Sequence, residues 1–189
     1  MLVVLEGLSG SGKTLSAVAL AIMEKENSGR EIVSNIHLNG IEHRFITSED
    51  LVKLIQDKSL NNCSVILDSM YIMTDCRQSQ SSLVKLFTHF LCGCRRADID
   101  VYITSNSYSD LDIRIRRAAD IRGRCRYDIK KRVCNLKFIE LHGAGVLTVK
   151  IDLSKFFKIV DGTKDPSCTS SNINRISENI ANYKQVKTI

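Results

Sequence analysis

The chain lacks any apolar run long enough to cross a bilayer as a helix, which argues against a membrane-spanning segment. It also lacks a basic leader: an apolar strand and a glycine-rich loop take up its first residues, so no secretory signal is expected. Its seven cysteines are odd in number and irregularly spaced. Cys92-Gly93-Cys94 lacks the two-residue spacer of common zinc sites, and Cys63, Cys76, Cys125, Cys134 and Cys168 form no second pair. Buried thiols in a reducing compartment explain this better than a disulfide framework or zinc. Extensive disorder is not expected either, since 43% hydrophobic residues in 189 can build one sizeable core.

Charge is unevenly placed. Between Arg95 and Lys137 there are twelve Lys/Arg against six Asp, so the rest of the chain holds fifteen residues of each sign and the whole excess of +6 lies in that stretch. Two readings are open: a surface that faces a polyanion, or a solvated basic face with no partner.

What is present is a phosphate-binding loop in its proper setting. The apolar run Met1 to Glu6 feeds Gly7-Leu8-Ser9-Gly10-Ser11-Gly12-Lys13-Thr14, and an amphipathic helix follows with Leu15, Val18, Ala19 and Ile22 on one face. Gly7, Gly10 and Gly12 permit backbone angles closed to other residues, so successive N–H groups, including those of Ser9 and Ser11, can turn inward around phosphates. Lys13 adds a point charge, Thr14 offers a hydroxyl to Mg2+, and the helix N-terminus favours the anion. ATP and Mg2+ are therefore the expected ligands.

Further along, Glu31 to Leu38 reads as a second strand, with Asn35 at its tip either facing the nucleotide or closing its own loop. Ser48-Glu49-Asp50 starts a short helix. Cys63 to Asp68 is an apolar strand ending in a carboxylate, the form of a Walker B motif in which Asp68 orders the Mg2+ shell through water and Thr14. The next residue is Ser69, a poor base near neutral pH, where water-activating ATPases carry Glu. Glu6 and Asp75 are the nearby candidates to replace it, and the sequence does not choose between them.

Leu83 to Cys94 reads as a helix closed by Arg95-Arg96, and Ile99 to Ser105 as a strand with Asn106 at its tip. The long spacing from P-loop to Asp68 fits the P-loop class in which this strand lies between the P-loop and Walker B strands, which would let Asn106 reach the γ-phosphate or the attacking water. Arg114 and Arg116 follow; they share a side if the segment is extended, whereas Arg114 and Arg117 share one if it is helical. They serve either a neighbour's nucleotide or salt bridges to Asp110, Asp112 or Asp120. Ile121 to Tyr127 reads as a fifth strand, and Arg132 to Leu141 with Val146 to Leu153 as a β-hairpin around His142 to Gly145. Residues 1–165 are read as one P-loop ATPase domain, and 166–189 as a polar tail. The weak apolar pattern Ile173, Ile176, Ile180 and Tyr183 in that tail suits a short docking helix or a loosely held terminus.

Taken in order, Gly7 to Thr14, Ser34-Asn35, Val65 to Asp68, Asp75-Cys76-Arg77, Arg95-Arg96, Ile103 to Asn106, Asp112 to Arg116 and Phe157 to Thr163 resemble the motifs of small genome-packaging ATPases of archaeal and related viruses. These are similar to the HerA/FtsK superfamily and to the Zot-type assembly ATPases of filamentous phages. The resemblance implies an α/β, RecA-like P-loop core: a mostly parallel sheet flanked by helices, with a C-terminal β-hairpin. It implies a homo-oligomeric ring, hexamer or pentamer, around double-stranded DNA, with a capsid protein as a further partner, in the host cytoplasm or with the virion. Lys13, Thr14 and Asp68 fall on the family's catalytic and metal positions, Asn106 on its polar sensor, and Arg114 and Arg116 on its arginine fingers. Ser69 departs from the family Glu, and Asn106 from a common Gln. The alternatives are a small-molecule P-loop kinase, whose acceptor-binding carboxylate motif is not found after the first helix, and a nucleotide-gated assembly protein with little turnover.

Overall fold

The computed structural model describes residues 1–69, 82–143 and 145–160. Strand β1 (Leu2–Glu6) is buried along its whole length, as expected of an apolar strand covered on both faces. Helix α1 (Lys13–Ser28) starts from left-handed Gly12 and ends at left-handed Gly29, whose N–H donates to the Lys25 carbonyl. Strand β2 (Glu31–Ser34) stops four residues earlier than its composition suggests, because Ser34 Oγ accepts from the Ile36 N–H and Asn35 turns toward β4. A two-residue strand, β3 (Arg44–Phe45), lies beyond it and has no apolar pattern to announce it. Helix α2 (Ser48–Gln56) is capped by Thr47 in a reciprocal capping box with Asp50, one residue before the expected start.

Strand β4 (Cys63–Leu67), helix α3 (Ser82–Gly93) and strand β5 (Asp100–Ser105) come next, then a 3-10 turn at Tyr108–Asp110 and the short helix α4 (Ile113–Ala118). Three long strands follow, β6 (Ile121–Asp128), β7 (Val133–Glu140) and β8 (Val146–Asp152), before α5 (Phe157–Val160). All eight strands form one sheet in the order β3-β2-β4-β5-β1-β6-β7-β8. Every pairing from β3 to β6 is parallel, and β6-β7 and β7-β8 are antiparallel. The α/β class and the insertion of β5 between β1 and β4 match the sequence reading. The expected hairpin is instead two-thirds of an antiparallel meander that begins with β6.

The two sheet faces carry separate cores. Val3 and Leu5 of β1 pack with α1, α5 and the inner side of β6–β8, while Leu2 and Val4 pack with α2, α3 and α4. Arg95, just beyond α3, pairs with buried Asp120, and Asp120 Oδ2 also accepts the Leu2 N–H at 2.7 Å, which ties the end of α3 to the central strands. Among the described residues, no helix is long and apolar enough to cross a membrane. The polar segment around Asp75 and Arg77, the motif residues 161–163 and the tail 166–189 lie outside the described residues.

Gly123 shows how closely β1, β6 and β7 approach: a Cβ there would stand 2.6 Å from Leu5 Cδ2 and 3.2 Å from two ring carbons of Phe138. Gly123→Ala is expected to destabilise the fold by about 1–3 kcal/mol through overpacking, read as a lower urea midpoint at unchanged m-value.

Candidate functional site

The P-loop occupies the carboxyl end of β1, at the end of the sheet where parallel α/β folds bind ligands. Two glycines are sterically required: a Cβ on Gly7 (φ 151°) would meet Ser11 Oγ at 2.5 Å and the Cys125 carbonyl at 2.8 Å, and one on Gly12 (φ 86°) would meet Leu153 Cδ1 at 2.9 Å. Lys13 folds back over the loop, its Nζ donating to the carbonyls of Gly7 at 2.8 Å and Leu8 at 3.0 Å. Ser9 and Gly10 are exposed at the loop's tip.

Asp68, next to the last residue of β4, collects the remaining polar groups. Its Oδ1 accepts from Thr14 Oγ1 and from Thr104 Oγ1, both at 2.7 Å, and its Oδ2 from Ser69 Oγ at 3.3 Å. Asn35 clamps its backbone from β2: Oδ1 accepts the Asp68 N–H at 2.8 Å and Nδ2 donates to the Asp68 carbonyl at 3.0 Å. Ser69 sits at φ 57°, a left-handed conformation unusual for serine, with its N–H donating to Thr104 Oγ1 at 2.9 Å. A hydroxyl and a carboxylate 2.7 Å apart beside a P-loop suit Mg2+, which takes few protein ligands and completes its shell with phosphate oxygens and water. Among the described residues no group of three or more His, Cys, Asp or Glu is arranged to hold a metal by itself.

A cavity of about 380 Å³ opens over the loop, with Lys13, Thr14 and Asp68 at its polar end. Its apolar end is made by Ile36, Tyr127, Phe157 and Val160, and the Tyr127 and Phe157 rings lie 5.8 Å apart at 62°. Phosphates at one end and a flat base at the other would fit this division. A larger hollow of about 530 Å³ between α2 and α3 is nearly all apolar, lined by Leu54, Leu60, Phe90 and Ile99, and lies away from this chemistry.

Glu6 proves to have a different task from the one its position suggests. It is buried, and both its oxygens are taken: Arg122 donates Nε to Oε1 at 2.8 Å and a second nitrogen to Oε2 at 2.9 Å, Arg124 Nε reaches Oε1 at 2.8 Å, and the Tyr108 N–H reaches Oε2 at 2.9 Å. Burial alone would raise its pKa, but the hydrogen bonds from Arg122, Tyr108 and Arg124 outweigh that and leave it below the ordinary carboxylate value. A carboxylate so held is a weaker base, which corrects the reading of Glu6 as a substitute for the missing Glu. The other candidate, Asp75, lies outside the described residues.

Asn106 is exposed just past β5, and Thr104, two residues earlier, is the side chain that touches Asp68. Arg114 and Arg116 lie on helix α4, so their side chains leave in nearly opposite directions and cannot serve one phosphate together. Arg114 pairs with buried Asp112 at 3.3 Å, the salt-bridge alternative, while Arg116 Nε donates to the Leu111 carbonyl at 3.1 Å. Of the described thiols, Cys63, Cys94, Cys125 and Cys134 are buried and Cys92 is exposed; burial pushes Cys63 up to about 11 and Cys94 up to about 12, and Cys134 lies beneath the loop with its Sγ donating to the Ser11 carbonyl. Sequence reading singles out Asn35 but not its pairing with Asp68, and it misses the contact of Thr104 with Asp68 although Thr104 lies within the motif Ile103 to Asn106.

The family model described as Zonular occludens toxin (Zot) matches residues 1–165. No curated protein matches the sequence. Among solved structures, the N-terminal domain of zonular occludens toxin from Neisseria meningitidis superposes with a TM-score of 0.63 at 19% identity, over 85% of this chain and 96% of that one. The genome packaging NTPase B204 from Sulfolobus turreted icosahedral virus 2, in complex with ATP-gammaS, gives 0.59 at 14%, over 78% and 95%. The KaiC-like protein PH0186 from Pyrococcus horikoshii OT3 gives 0.51 at 13%, over 79% and 82%. At these identities the structures establish a shared P-loop NTPase fold.

The held Glu6 makes a pH prediction. Because its pKa is lower folded than unfolded, the stability it adds is complete above about pH 4.5 and is lost as pH falls toward the folded value. Glu6→Gln is expected to cost about 1–2 kcal/mol at pH 7, and urea titrations should show the gap to wild type closing below pH 4.5.

Proposed function

This chain belongs to the Zonular occludens toxin (Zot) family, and from that premise we propose that it is an ATP-binding, ATP-hydrolysing motor that moves double-stranded DNA during viral genome packaging. The observation that carries the reading is the Thr14–Asp68 contact at 2.7 Å, made where the P-loop, β4 and β5 converge on one cavity. B204, a genome packaging NTPase with the same fold, was solved with an ATP analogue, which supports nucleotide binding here.

In this mechanism the loop N–H groups from Ser9 to Thr14 hold the phosphates, and Lys13 leaves the Gly7 and Leu8 carbonyls to take an outer phosphate oxygen. Thr14 and Asp68 would hold Mg2+, which would supply charge neutralisation to the phosphates. Asn35 fixes the Asp68 backbone, Thr104 and Ser69 orient its carboxylate, and Tyr127 and Phe157 receive the base. Asn106, past the end of β5, remains available to contact the attacking water. Since Arg114 and Arg116 diverge, one of them at most acts on a neighbouring subunit's nucleotide. The expected partners are duplex DNA, further copies of the chain in a ring of five or six, and a capsid protein, in the host cytoplasm or with the virion. Ser69 favours a second reading, an assembly protein gated by ATP with little turnover, because neither Ser69 nor the held Glu6 can accept the proton of water.

The two separate in one assay. The motor predicts phosphate release that rises with duplex DNA and falls about a hundredfold or more in Lys13→Ala. ATP binding without release, with or without DNA, would establish the gated protein instead.

A further inference from the structure

Among the described residues, one face of the antiparallel part of the sheet is covered by no helix. Along β6–β8 the side chains alternate: Cys125, Cys134, Leu136 and Val149 enter the core, and Arg124, Arg126, Lys137 and Lys150 stand exposed on the other side. The register brings these cations together, with Arg124 opposite Lys137, Arg126 opposite Asn135, and Asn135 opposite Lys150. Like charges directly opposite one another weaken a sheet, so folding alone gives no reason for the arrangement. Lysine on an exposed edge can deter aggregation, but only Lys150 lies on the edge strand; Arg124, Arg126 and Lys137 lie on interior strands.

Part of the basic stretch seen in the sequence is engaged within the fold, while Arg96, Arg117 and Lys130 to Arg132 are exposed elsewhere. Arg95 is paired with Asp120, Arg114 with Asp112 and Arg122 with Glu6, and Arg116 is bound to a backbone carbonyl. Arg124 shares Glu6 and remains 56% exposed. Arg126, Lys137 and Lys150 make no ion pair among the described residues. The two carboxylates at the end of the face are turned to backbone: Asp128 accepts from the Lys130 and Lys131 N–H groups, and Asp152 from that of Ser154.

We propose that this face docks the phosphate backbone of duplex DNA, an assignment that rests on the motor reading above and names the surface it would use. Neighbouring strands are about 4.8 Å apart and alternate residues about 6.7 Å, so the cations form a compact grid, with neutral hydrogen-bonding Asn135 and Thr148 between them. Such groups position a duplex through its phosphates without reading sequence.

The test compares wild type with the triple variants Arg126→Glu/Lys137→Glu/Lys150→Glu and, as a milder control on folding, Arg126→Gln/Lys137→Gln/Lys150→Gln. Readouts are anisotropy with a labelled 30-base-pair duplex from low to high salt, DNA-free ATPase, and oligomer size by sedimentation. The expected result is affinity more than about tenfold weaker in 0.1 M salt, and a salt slope shallower by about one for each cation removed, with DNA-free ATPase and oligomer size unchanged. Equal duplex binding by wild type and both variants overturns this surface and leaves the motor reading standing. Loss of the oligomer in the variants also overturns it, making the face a contact between copies. A wild type that binds no duplex at all removes the motor reading along with it.

Discussion

The Asp68 carboxylate is the point on which the nucleotide end of the molecule depends. Among the described residues it is held by neutral donors alone, Thr14, Thr104 and Ser69, and its backbone by Asn35, so its negative charge has a fixed place and no ion-pair partner there. Glu6, also at a strand end beside the P-loop, is held by two arginines and a backbone N–H. The same functional group thus has two fates. An oriented carboxylate with uncompensated charge suits a metal ion, while one enclosed by guanidinium groups serves as structure. Cohesion between β1, β6 and the turn at Tyr108 follows from the second arrangement, with the Arg122 guanidinium stacked 4.8 Å from the Tyr108 ring centre.

Sheet topology is what brings the Asp68 partners together. Because β5 runs between β1 and β4, Thr104 reaches sideways to Asp68 while the P-loop leaves β1 one strand further on. Asn35 comes from β2 on the opposite flank. Four of the strands, β1, β2, β4 and β5, therefore form a buried parallel core whose carboxyl ends converge. The three-stranded meander has a lighter duty, closing the core with one face and presenting charge on the other.

Local pattern carried much of this into the sequence. The P-loop, its helix and the strand ending at Asp68 follow from glycine spacing and apolar periodicity, which act over a few residues, while the interposed position of β5 came from likeness to a P-loop class. What escaped was set by partners far along the chain. Glu6 meets Arg122 and Arg124 only because β6 pairs with β1, across separations of 116 and 118 residues. Asn35 finds Asp68 through the β2–β4 register, and Thr104 rather than Asn106 touches Asp68 because the side chain inside the strand, not the one past its end, lies level with it. Of the two geometries left open for Arg114 and Arg116, the six-residue helix capped by Asp112 takes the helical one, which separates their side chains. Apart from that local cap, tertiary contacts decided what composition left open.

The most direct test is a crystal structure of the protein with Mg2+ and a non-hydrolysable ATP analogue. The account predicts that the direct Thr14–Asp68 bond opens, with the metal bound to Thr14 Oγ1 and linked to Asp68 through water, and with the base beside Tyr127 and Phe157. Finding the Thr14–Asp68 bond intact with no metal between phosphate and Thr14, or the phosphates outside the loop of Gly7 to Thr14, would contradict it.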